Sequence, residues 1–599
     1  MLIRFALLLA FPLLLAAQVS AEYTPDELSR APAPARVAQL VDRAAGAGWA
    51  GEVVGLRHAA MSAYEANRSS APAWYYLYRW AALLSAPEDQ AQAQWVQAVN
   101  NARVGHPNMH PAGASPKTPL AAHWPRELQL FALESVAFSE EFFATLQPLD
   151  NPAEVLAILR RLYAANPAVF SDYQNLAIAI AVVYDVPPPP GWPHGQVSPT
   201  ALPRSLPAPE VAFAYWSGLD HGNQTLQHLR RLPAAELKFI VDEVAPFSDL
   251  DWARKTVPLG LPDLAKAYDM IRYRKDRLES KAAQWDQTDY RLTTILGQGG
   301  ICVDQAYFAA VTGKAKGIPT IIFLGQGLDG RHAWFGYLDG QQKWQLDCGR
   351  YAEQQLDVGI AYDPQTWGSI TDFELRFMSD RFRALPAYKI SLMHAEFAAE
   401  YLKDGNTAAA MKAAREAVNR ERRNLIGWSV LLRTQQAISR DPRVVEGVLR
   451  EAILAFQKYP DLNLLFTRQL AASMRARGET SAADLEEKHL AKVYQNQNNQ
   501  ADVACQQAAD LMDRTMREDA LPQQVHIYQQ VLETYGRGGG YEFYDRVVVP
   551  FARYLQKQQQ IPAALNAIDR SRKFLRIEKG GQLDNALTDL SERIKRGEN

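Results

Sequence analysis

Apolar residues recur three and four positions apart along most of this chain, which is the spacing of amphipathic α-helices. Between residues 22 and 284 a proline-rich segment, 185–209, interrupts this pattern with four consecutive prolines. We expect that segment to be extended, as a boundary or a surface strap between helical subdomains. The helical pattern of this N-terminal region is clearest over residues 72–84, 88–104, 127–146, 153–165 and 261–283.

The pattern changes between residues 291 and 370. A helical spacing runs from Cys302 to about Lys316, and short strand-like runs follow it. Asp339-Gly340 is a strong turn signal and predicts a β-hairpin between the last two of these runs. One helix followed by antiparallel strands predicts an α+β region inside a mostly α chain. The strand-like runs are 320–324, 333–338 and 343–346.

From about residue 387 the strands give way to helices again. Residues 394–422 place small and aromatic residues around a Gly405-Asn406 turn, at the offsets used by tetratricopeptide repeats. Further helix pairs over 423–457 and 461–497 fit that spacing less closely. We therefore predict a C-terminal α-solenoid of helical hairpins over 387–599, with an irregular helical bundle as the alternative.

The N-terminal residues predict export. Arg4 precedes an apolar run from Phe5 to about Ala17, and small residues end at Ala21. This is the layout of a secretory signal peptide, so we expect a periplasmic or secreted protein after cleavage near Ala21. The alternative is an uncleaved anchor, but the run is shorter than the about 20 apolar residues that span a bilayer. No stable membrane anchor is predicted.

Composition narrows the function classes. The 599 residues favour several domains, and 48% hydrophobic with 22% charged residues is typical of globular proteins. A net charge of −2 without a long basic run argues against nucleic-acid binding. Three cysteines, Cys302, Cys348 and Cys505, are too few for a disulfide scaffold and allow at most one bridge.

Cys302 stands where a nucleophile could be activated. A thiol reacts as its thiolate, and an ordinary cysteine with a pKa of about 8.5 is mostly protonated at neutral pH. Gly299 and Gly300 precede a helical pattern, so Cys302 is expected at a helix N-terminus, whose unpaired N–H groups lower a thiol pKa. The glycines would also let the backbone approach a substrate carbonyl closely. The alternative is a buried cysteine at a helix start with no chemistry.

Two further residues could complete a catalytic triad. His332 lies on a strand-like run and can serve as a base, and Asp347 follows the predicted hairpin turn. With the turn at Asp339-Gly340, the two side chains would face each other near the open end of the hairpin. The carboxylate would then fix the imidazole tautomer.

These residues belong to a series of short motifs. They are Gly300-Ile301-Cys302 with Asp304 and Ala306, Gly317-Ile318-Pro319, His332-Ala333-Trp334 and Trp344-x-x-Asp347. Their order and spacing resemble the transglutaminase-like superfamily, over about 80 residues. The resemblance implies a papain-like core within 285–386, a Cys302–His332–Asp347 triad, and acyl transfer through a thioester without a cofactor. One departure is Cys348-Gly349 directly after Asp347, where many members have proline or threonine.

Neighbouring residues carry weaker expectations. Asp304 is predicted to cap the first turn of its helix rather than to act in catalysis. Gln298 is a candidate oxyanion donor. Trp334 and Trp344 are predicted core aromatics, with substrate platforms as the alternative.

The remaining candidates are mostly assigned structural roles. Asp329 and Arg331 are expected on a solvated loop, with substrate contact as the alternative. Cys348 is expected to be a small buried residue, with a redox lock or a bridge to Cys505 as alternatives. His106 and His110 lie on a proline-rich loop, and no metal-binding motif occurs, so no metal site is predicted.

Together these features predict an exported cysteine enzyme that hydrolyses an amide or peptide bond in a protein or peptide substrate. The expected organisation is a signal peptide at 1–21, a helical region at 22–284, a transglutaminase-like domain at 285–386 and helical repeats at 387–599, which could bind a protein partner. The alternative is an inactive transglutaminase-like scaffold for protein–protein binding.

Overall fold

The computed structural model describes residues 23–102, 118–279, 284–351, 354, 358–495, 501–536, 538–575 and 577–598. These residues are mostly helical and form one five-stranded antiparallel sheet, which confirms the predicted fold class at that level. The predicted signal peptide, 1–21, lies outside them, as do His106 and His110. Among the described residues, no helix combines the length and the apolar character that crossing a bilayer requires.

Thirteen helices precede the sheet region in the described residues, and several of them pack around α9. This central helix buries every side chain from Leu176 to Val183, because none of its faces meets water. The helices are α1 (Pro34–Ala47), α2 (Ala50–Glu65), α3 (Ala71–Ser85), α4 (Glu88–Ala102), α5 (Arg126–Glu134), α6 (Val136–Thr145), α7 (Pro152–Ala165), α8 (Pro167–Asp172), α9 (Gln174–Tyr184), α10 (Pro209–His221), α11 (Ala234–Val241), α12 (Phe247–Thr256) and α13 (Lys275–Glu279).

Two of the predicted helices are broken. The stretch 127–146 divides into α5 and α6 at Ser135, whose hydroxyl accepts a hydrogen bond from the Phe138 amide at 3.2 Å and caps the second helix. The stretch 261–283 begins as a 3₁₀ helix, Leu261–Met270, and α13 follows it. Apolar spacing alone does not reveal such breaks, because both halves bury the same kind of face.

The sheet region begins with two helices and continues in strands. Strand order is β3-β2-β1-β4-β5, and α15 packs against β1 and β2 with almost all of its residues buried. The predicted helix and the three predicted strands are confirmed, whereas β4 and β5 were not predicted. The elements are α14 (Leu292–Gln298), α15 (Cys302–Ala315), β1 (Thr320–Gln326), β2 (Arg331–Leu338), β3 (Trp344–Cys348), β4 (Ile360–Tyr362), β5 (Ser369–Thr371) and α16 (Asp372–Met378).

The β2–β3 hairpin has a longer turn than the two residues that the sequence suggested. Leu338 pairs with Trp344, so residues 339–343 form a five-residue loop. Asp339 holds this loop by accepting hydrogen bonds from the amides of Gln341 and Lys343. The register then shifts once more, at a bulge between Phe335 and Tyr337. Both features move β3 along β2 and change which residues face His332.

Helices fill the rest of the described chain. The predicted first hairpin is confirmed, with α17 and α18 joined at Gly405-Asn406, where the Asn406 side chain caps α18. The helices are α17 (Pro386–Lys403), α18 (Thr407–Arg420), α19 (Leu425–Ile438), α20 (Pro442–Ala455), α21 (Pro460–Ala476), α22 (Thr480–Gln495), α23 (Ala501–Glu518), α24 (Leu521–Tyr535), α25 (Gly540–Phe543), α26 (Val549–Lys557), α27 (Ile561–Phe574) and α28 (Gln582–Arg596), with a π-helical turn, Tyr544–Val548, before α26.

Ion pairs link the second helices of successive hairpins. Arg415 on α18 pairs with Glu451 on α20 at 2.7 Å, and Arg450 on α20 pairs with Glu486 on α22 at 2.6 Å. Each pair joins residues 36 positions apart. The two pairs therefore join the second helices of three successive hairpins.

The first hairpin also contacts the N-terminal helices. Arg57 on α2 pairs with the buried Glu400 of α17 at 2.8 Å and with Asp404 at 2.9 Å. Tyr64 stacks on Phe397 with ring centroids 4.0 Å apart. Helices that precede and follow the sheet region in sequence are therefore joined by charged and aromatic contacts.

The proline-rich segment 185–209 lies against the sheet region. Trp192 packs edge-on against Trp367 with ring centroids 5.2 Å apart. Its buried His194 donates through Nε2 to the Tyr290 hydroxyl at 3.0 Å, because Tyr290 donates its own proton to Asp304 at 2.6 Å. The segment thus reaches, through two hydrogen bonds, the first turn of α15.

His194 makes this link sensitive to acid. Burial, followed by the charges of Arg204 and Arg277, lowers its pKa to about 3. The unfolded chain, in which histidine has a pKa of about 6.5, therefore takes up the proton first, and stability is lost as the pH falls below that value. From pH 7 to pH 5 the loss from this residue is about 2 kcal/mol.

We predict that His194→Gln, which keeps a donor for Tyr290, removes that loss. The free energy of unfolding, measured with urea at pH 7 and pH 5, should fall less in the variant than in the wild type. His221→Gln, on a helix end, is the control and should leave the pH dependence unchanged. Equal pH dependence in wild type and His194→Gln would contradict the assignment.

Candidate functional site

Cys302 is the first residue of α15, as predicted. The carboxylate of Asp304 accepts a hydrogen bond from the Ile301 amide at 2.8 Å, which confirms the predicted capping role. Asp304 is fully buried. Its carboxylate pairs with Arg277 at 2.7 Å and accepts a hydrogen bond from the Tyr290 hydroxyl. Ile301, the residue before Cys302, is therefore fixed to the helix by a carboxylate whose charge is paired with Arg277.

Packing requires the two glycines before Cys302. A Cβ on Gly299, which has a φ of +76°, would stand 2.4 Å from the Arg272 carbonyl oxygen. A Cβ on Gly300 would stand 2.3 Å from the Cβ of Asp304. Residues 272–274 pair with Gly300 through two backbone hydrogen bonds. Glycine is required at both positions so that this segment can reach the start of α15.

The structure brings His332 to the same place. His332 is the second residue of β2, the strand against which α15 packs. Ala333 belongs to the apolar cluster against which Cys302 packs. Cys302 and His332 both lie near Tyr268, whose hydroxyl is 3.4 Å from His332 Nε2 and whose ring belongs to the apolar cluster against which Cys302 packs.

The imidazole of His332 is held by a backbone carbonyl. Its Nε2 lies 2.6 Å from the Gly349 oxygen and therefore carries the proton, because a carbonyl only accepts. The Tyr268 hydroxyl lies 3.4 Å from the same nitrogen and donates to the Ala333 carbonyl at 2.8 Å. Nδ1 then keeps its lone pair and is the basic nitrogen of this tautomer.

Asp347 stands elsewhere than predicted. Its half-exposed carboxylate pairs with Arg350 at 3.1 Å and with Arg376 at 3.3 Å. The hydrogen bond that we expected from His332 to Asp347 is made to Gly349 instead. The five-residue loop and the bulge slide β3 along β2, so Cys348, rather than a residue nearer the turn, pairs with Phe335.

Asp347 still contacts the turn that carries Gly349. The Arg350 amide donates to the Asp347 carbonyl at 3.1 Å, closing a turn over residues 347–350. Gly349 adopts a φ of +85°, and a Cβ there would meet the Tyr268 ring at 2.7 Å. The carbonyl that holds His332 is thus positioned by a glycine that no larger residue could replace without displacing Tyr268.

The resting thiol and imidazole are both neutral. Burial raises the pKa of Cys302, and the charge of Asp304 adds to it, although the amides of Ala333, Val303 and Cys302 act in the opposite direction. Burial also lowers the pKa of His332, against the effect of the Gly349 carbonyl. The predicted lowering of the thiol pKa by the helix N-terminus is therefore outweighed by desolvation.

Aromatic rings surround the pair, and the sequence did not single them out. Tyr351 lies 5.4 Å from the His332 ring and Tyr268 lies 6.3 Å from it, centroid to centroid. Tyr351 and Tyr273 are each more than a third exposed. These tyrosines lie on a 3₁₀ helix and in a loop, so no regular spacing from Cys302 marks them in the sequence.

The predicted core aromatics are buried. Trp334 is fully buried and donates to the Leu346 carbonyl at 2.9 Å. Trp344 is buried and packs edge-on against Phe239. Gln298, the candidate oxyanion donor, has an exposed side chain, and its carbonyl accepts from Arg272 at 2.8 Å.

Asp329 and Arg331 make contacts that the sequence did not indicate. Asp329 accepts hydrogen bonds from the amides of Gln582 and Leu583, at the start of α28. Arg331 pairs with Asp545 at 2.8 Å. The loop before His332 is therefore bound by the C-terminal helices, and Arg331 at its end stays exposed, as expected of a solvated loop.

The other cysteines carry no disulfide. All three cysteines lie in the described part of the chain, and none is bridged. Cys348 is partly buried against the same apolar cluster as Cys302, and burial raises its pKa to about 12. Cys505 is buried on α23. Among the described residues no group of three or more histidine, cysteine, aspartate or glutamate side chains is placed to hold a metal ion.

A cavity of about 1750 Å³ lies apart from this pair. It opens between α3, α6 and α11 on one side and α16, α17 and α21 on the other, and its described lining contains neither Cys302 nor His332. Small-molecule sites usually measure about 300–1,000 Å³. The cavity is therefore large enough for an extended segment of polypeptide, and it is separate from the candidate chemistry.

Comparison of the chain with protein-family models gives no match, and comparison with curated proteins gives none either.

We predict that Cys302 reacts with iodoacetamide as a thiol of raised pKa. Its alkylation rate, followed by mass spectrometry in a Cys348→Ser, Cys505→Ser background, should inflect above the ordinary value of about 8.5. A resting thiolate–imidazolium pair would instead react at a constant rate from pH 5 to pH 7, and that result would contradict the neutral pair. Unfolded protein in urea supplies the ordinary-thiol control.

Proposed function

We propose that this chain is an exported cysteine acyl-transfer enzyme that hydrolyses an amide or peptide bond through a thioester. The observation that carries the proposal is that Cys302, at the start of α15, and His332, on β2, both lie near Tyr268. His332 is held by Nε2, which leaves Nδ1 available as a general base.

The steps follow from the neutral pair. Nδ1 of His332 takes the thiol proton as the sulfur attacks the substrate carbonyl carbon, and the tetrahedral intermediate expels the amine as His332 returns the proton to it. Water then attacks the thioester while His332 again accepts a proton, and the product acid leaves as Cys302 regains its hydrogen. An amine in place of water would give transamidation, but no dedicated amine site supports that outcome.

Backbone amides support the charged states of this cycle. The amides of Cys302 and Val303 already act on the thiol and lower its pKa. They lie in the first turn of α15, where N–H groups lack intrahelical acceptors. We assign to them the stabilisation of the developing oxyanion, in place of the exposed Gln298.

Asp347 acts indirectly in this scheme. It holds Arg350 and the turn that presents the Gly349 carbonyl to His332, so it is a positioning residue rather than a hydrogen-bond partner of the imidazole. We further propose that residues 285–386 form the transglutaminase-like unit and that a signal peptide at 1–21 directs the protein to the periplasm or outside the cell. Its substrate would then be a protein or peptide there.

A binding scaffold is the second candidate function. The separate cavity of about 1750 Å³ and the helical hairpins joined by ion pairs would suit a polypeptide partner. The pairing of Asp347 with two arginines, away from His332, also favours a site that has lost part of its catalytic set.

We predict that the purified protein releases amine from amide substrates and that Cys302→Ala abolishes this release. A panel of peptides and cell-wall amides would be screened with wild type, Cys302→Ala and His332→Ala. His332→Ala should lower turnover by about 10²–10⁴-fold, the usual contribution of a general base. Cys348→Ala is the matched control and should retain activity. Turnover that survives in Cys302→Ala would overturn the enzyme assignment.

We predict a small effect for Asp347→Asn. In a direct triad, the corresponding change costs about 10⁴-fold in kcat because the imidazole adopts the wrong tautomer. Here the Gly349 carbonyl fixes the tautomer, so kcat should fall far less. The measurement is kcat on the best substrate of the panel, with Asp372→Asn, which removes the other partner of Arg350, as a comparison. A loss of about 10⁴-fold in kcat would show instead that Asp347 is the direct hydrogen-bond partner of His332.

A further inference from the structure

The loop between β1 and β2, residues 327–330, leads directly into His332 and lies against the C-terminal helices. The Tyr541 amide donates to the Gly327 carbonyl at 3.1 Å. Asp329 accepts from the amides of Gln582 and Leu583 at 3.1 and 3.0 Å. Its carboxylate therefore caps α28 from a segment more than 250 positions away in sequence.

The two strand ends beside the loop are bound as well. Arg331 pairs with Asp545 at 2.8 Å and lies over the Tyr541 ring, 4.8 Å from its centroid. Gln326 donates to the same Asp545 carboxylate at 2.8 Å. One acidic side chain of the π-helical turn thus holds the last residue of β1 and the first residue of β2.

The C-terminal helices approach the loop more closely than a side chain would allow. A Cβ on Gly540, which has a φ of +44°, would stand 2.4 Å from the Gly327 oxygen and 2.6 Å from the Leu328 Cα. Both neighbours are backbone atoms, so the loop would have to move. Gly538, two residues earlier, has a φ of +80° and nothing within 4 Å of its Cβ position.

We infer that the C-terminal helices position His332 by holding the β1–β2 loop, with Asp329, Tyr541 and Asp545 as positioning residues. His332 follows Arg331 directly, and its polar partners in the described part of the chain are the Gly349 carbonyl and the Tyr268 hydroxyl, so the direction of its ring depends on where β2 begins. The catalytic consequence rests on the proposed function. The positioning itself does not.

The test uses Gly540→Ala with Gly538→Ala as the matched control in the full chain. Both substitutions place alanine at a positive φ, but only the first pushes on the loop. Amide hydrogen exchange should rise in residues 326–333 of Gly540→Ala and stay at the wild-type rate in Gly538→Ala. Asp545→Asn, which adds no bulk, should raise exchange in the same residues. Asp545→Glu, which keeps the carboxylate, should show the wild-type exchange rate.

The second measurement follows the His332 imidazole by NMR in histidine-labelled protein. Burial lowers its pKa in the wild type, so release of β2 should raise the pKa towards the ordinary value of about 6.5. Tyr268 on the 3₁₀ helix and Tyr351 after β3 face the ring, and neither glycine variant alters these groups or adds a charge. Turnover should fall on the order of tenfold in Gly540→Ala alone.

The outcomes separate the two proposals. The positioning role would be overturned if hydrogen exchange rises in residues 326–333 while the His332 pKa stays unchanged. It would also be overturned if Gly540→Ala and Gly538→Ala change exchange and the pKa equally. A wild type without turnover on any substrate would overturn the proposed function, and the exchange and NMR results would still decide the positioning role.

Discussion

Asp304 lies where three segments of the chain meet, and its carboxylate is fully buried there. It accepts from the Ile301 amide, from Arg277 and from Tyr290, which in turn accepts from His194 of the proline-rich segment. Removing one partner of a buried ion pair costs about 3–5 kcal/mol, because the remaining charge is left uncompensated. The start of α15, and with it the direction of Cys302, depends on this one carboxylate.

The chemistry available at Cys302 follows from burial. Desolvation opposes both the thiolate and the imidazolium, so Cys302 and His332 are both uncharged in the resting state. A neutral pair requires His332 to accept the thiol proton during attack, as the general base of a serine enzyme does. The amides at the start of α15 favour the charged sulfur, but in the resting state their effect is smaller than that of burial.

His332 is held from two directions. On one side the Gly349 carbonyl fixes its tautomer, and on the other the C-terminal helices bind the loop that leads into β2. Arg57 on α2 also pairs with Glu400 on α17, which joins the helices before and after the sheet region. The helices that make up most of the chain are therefore part of the architecture of the site, as well as surfaces that could bind a partner.

The sequence by itself determined the elements whose signal is local. Apolar spacing predicted α15 and the first C-terminal hairpin, short strand-like runs predicted β1 to β3, and the position of Asp304 predicted its capping bond. These predictions hold because neighbouring residues produce helix periodicity, strand alternation and capping.

Only the tertiary structure decided which groups surround Cys302. A five-residue loop and a bulge set the register of β3, and one step along a strand changes every cross-strand neighbour, so Gly349 rather than Asp347 holds His332. Burial reversed the expected shift of the thiol pKa. Asp329 and Arg331 found partners more than 200 positions away. Register, burial and long-range contacts depend on how distant segments pack, and no local pattern contains that information.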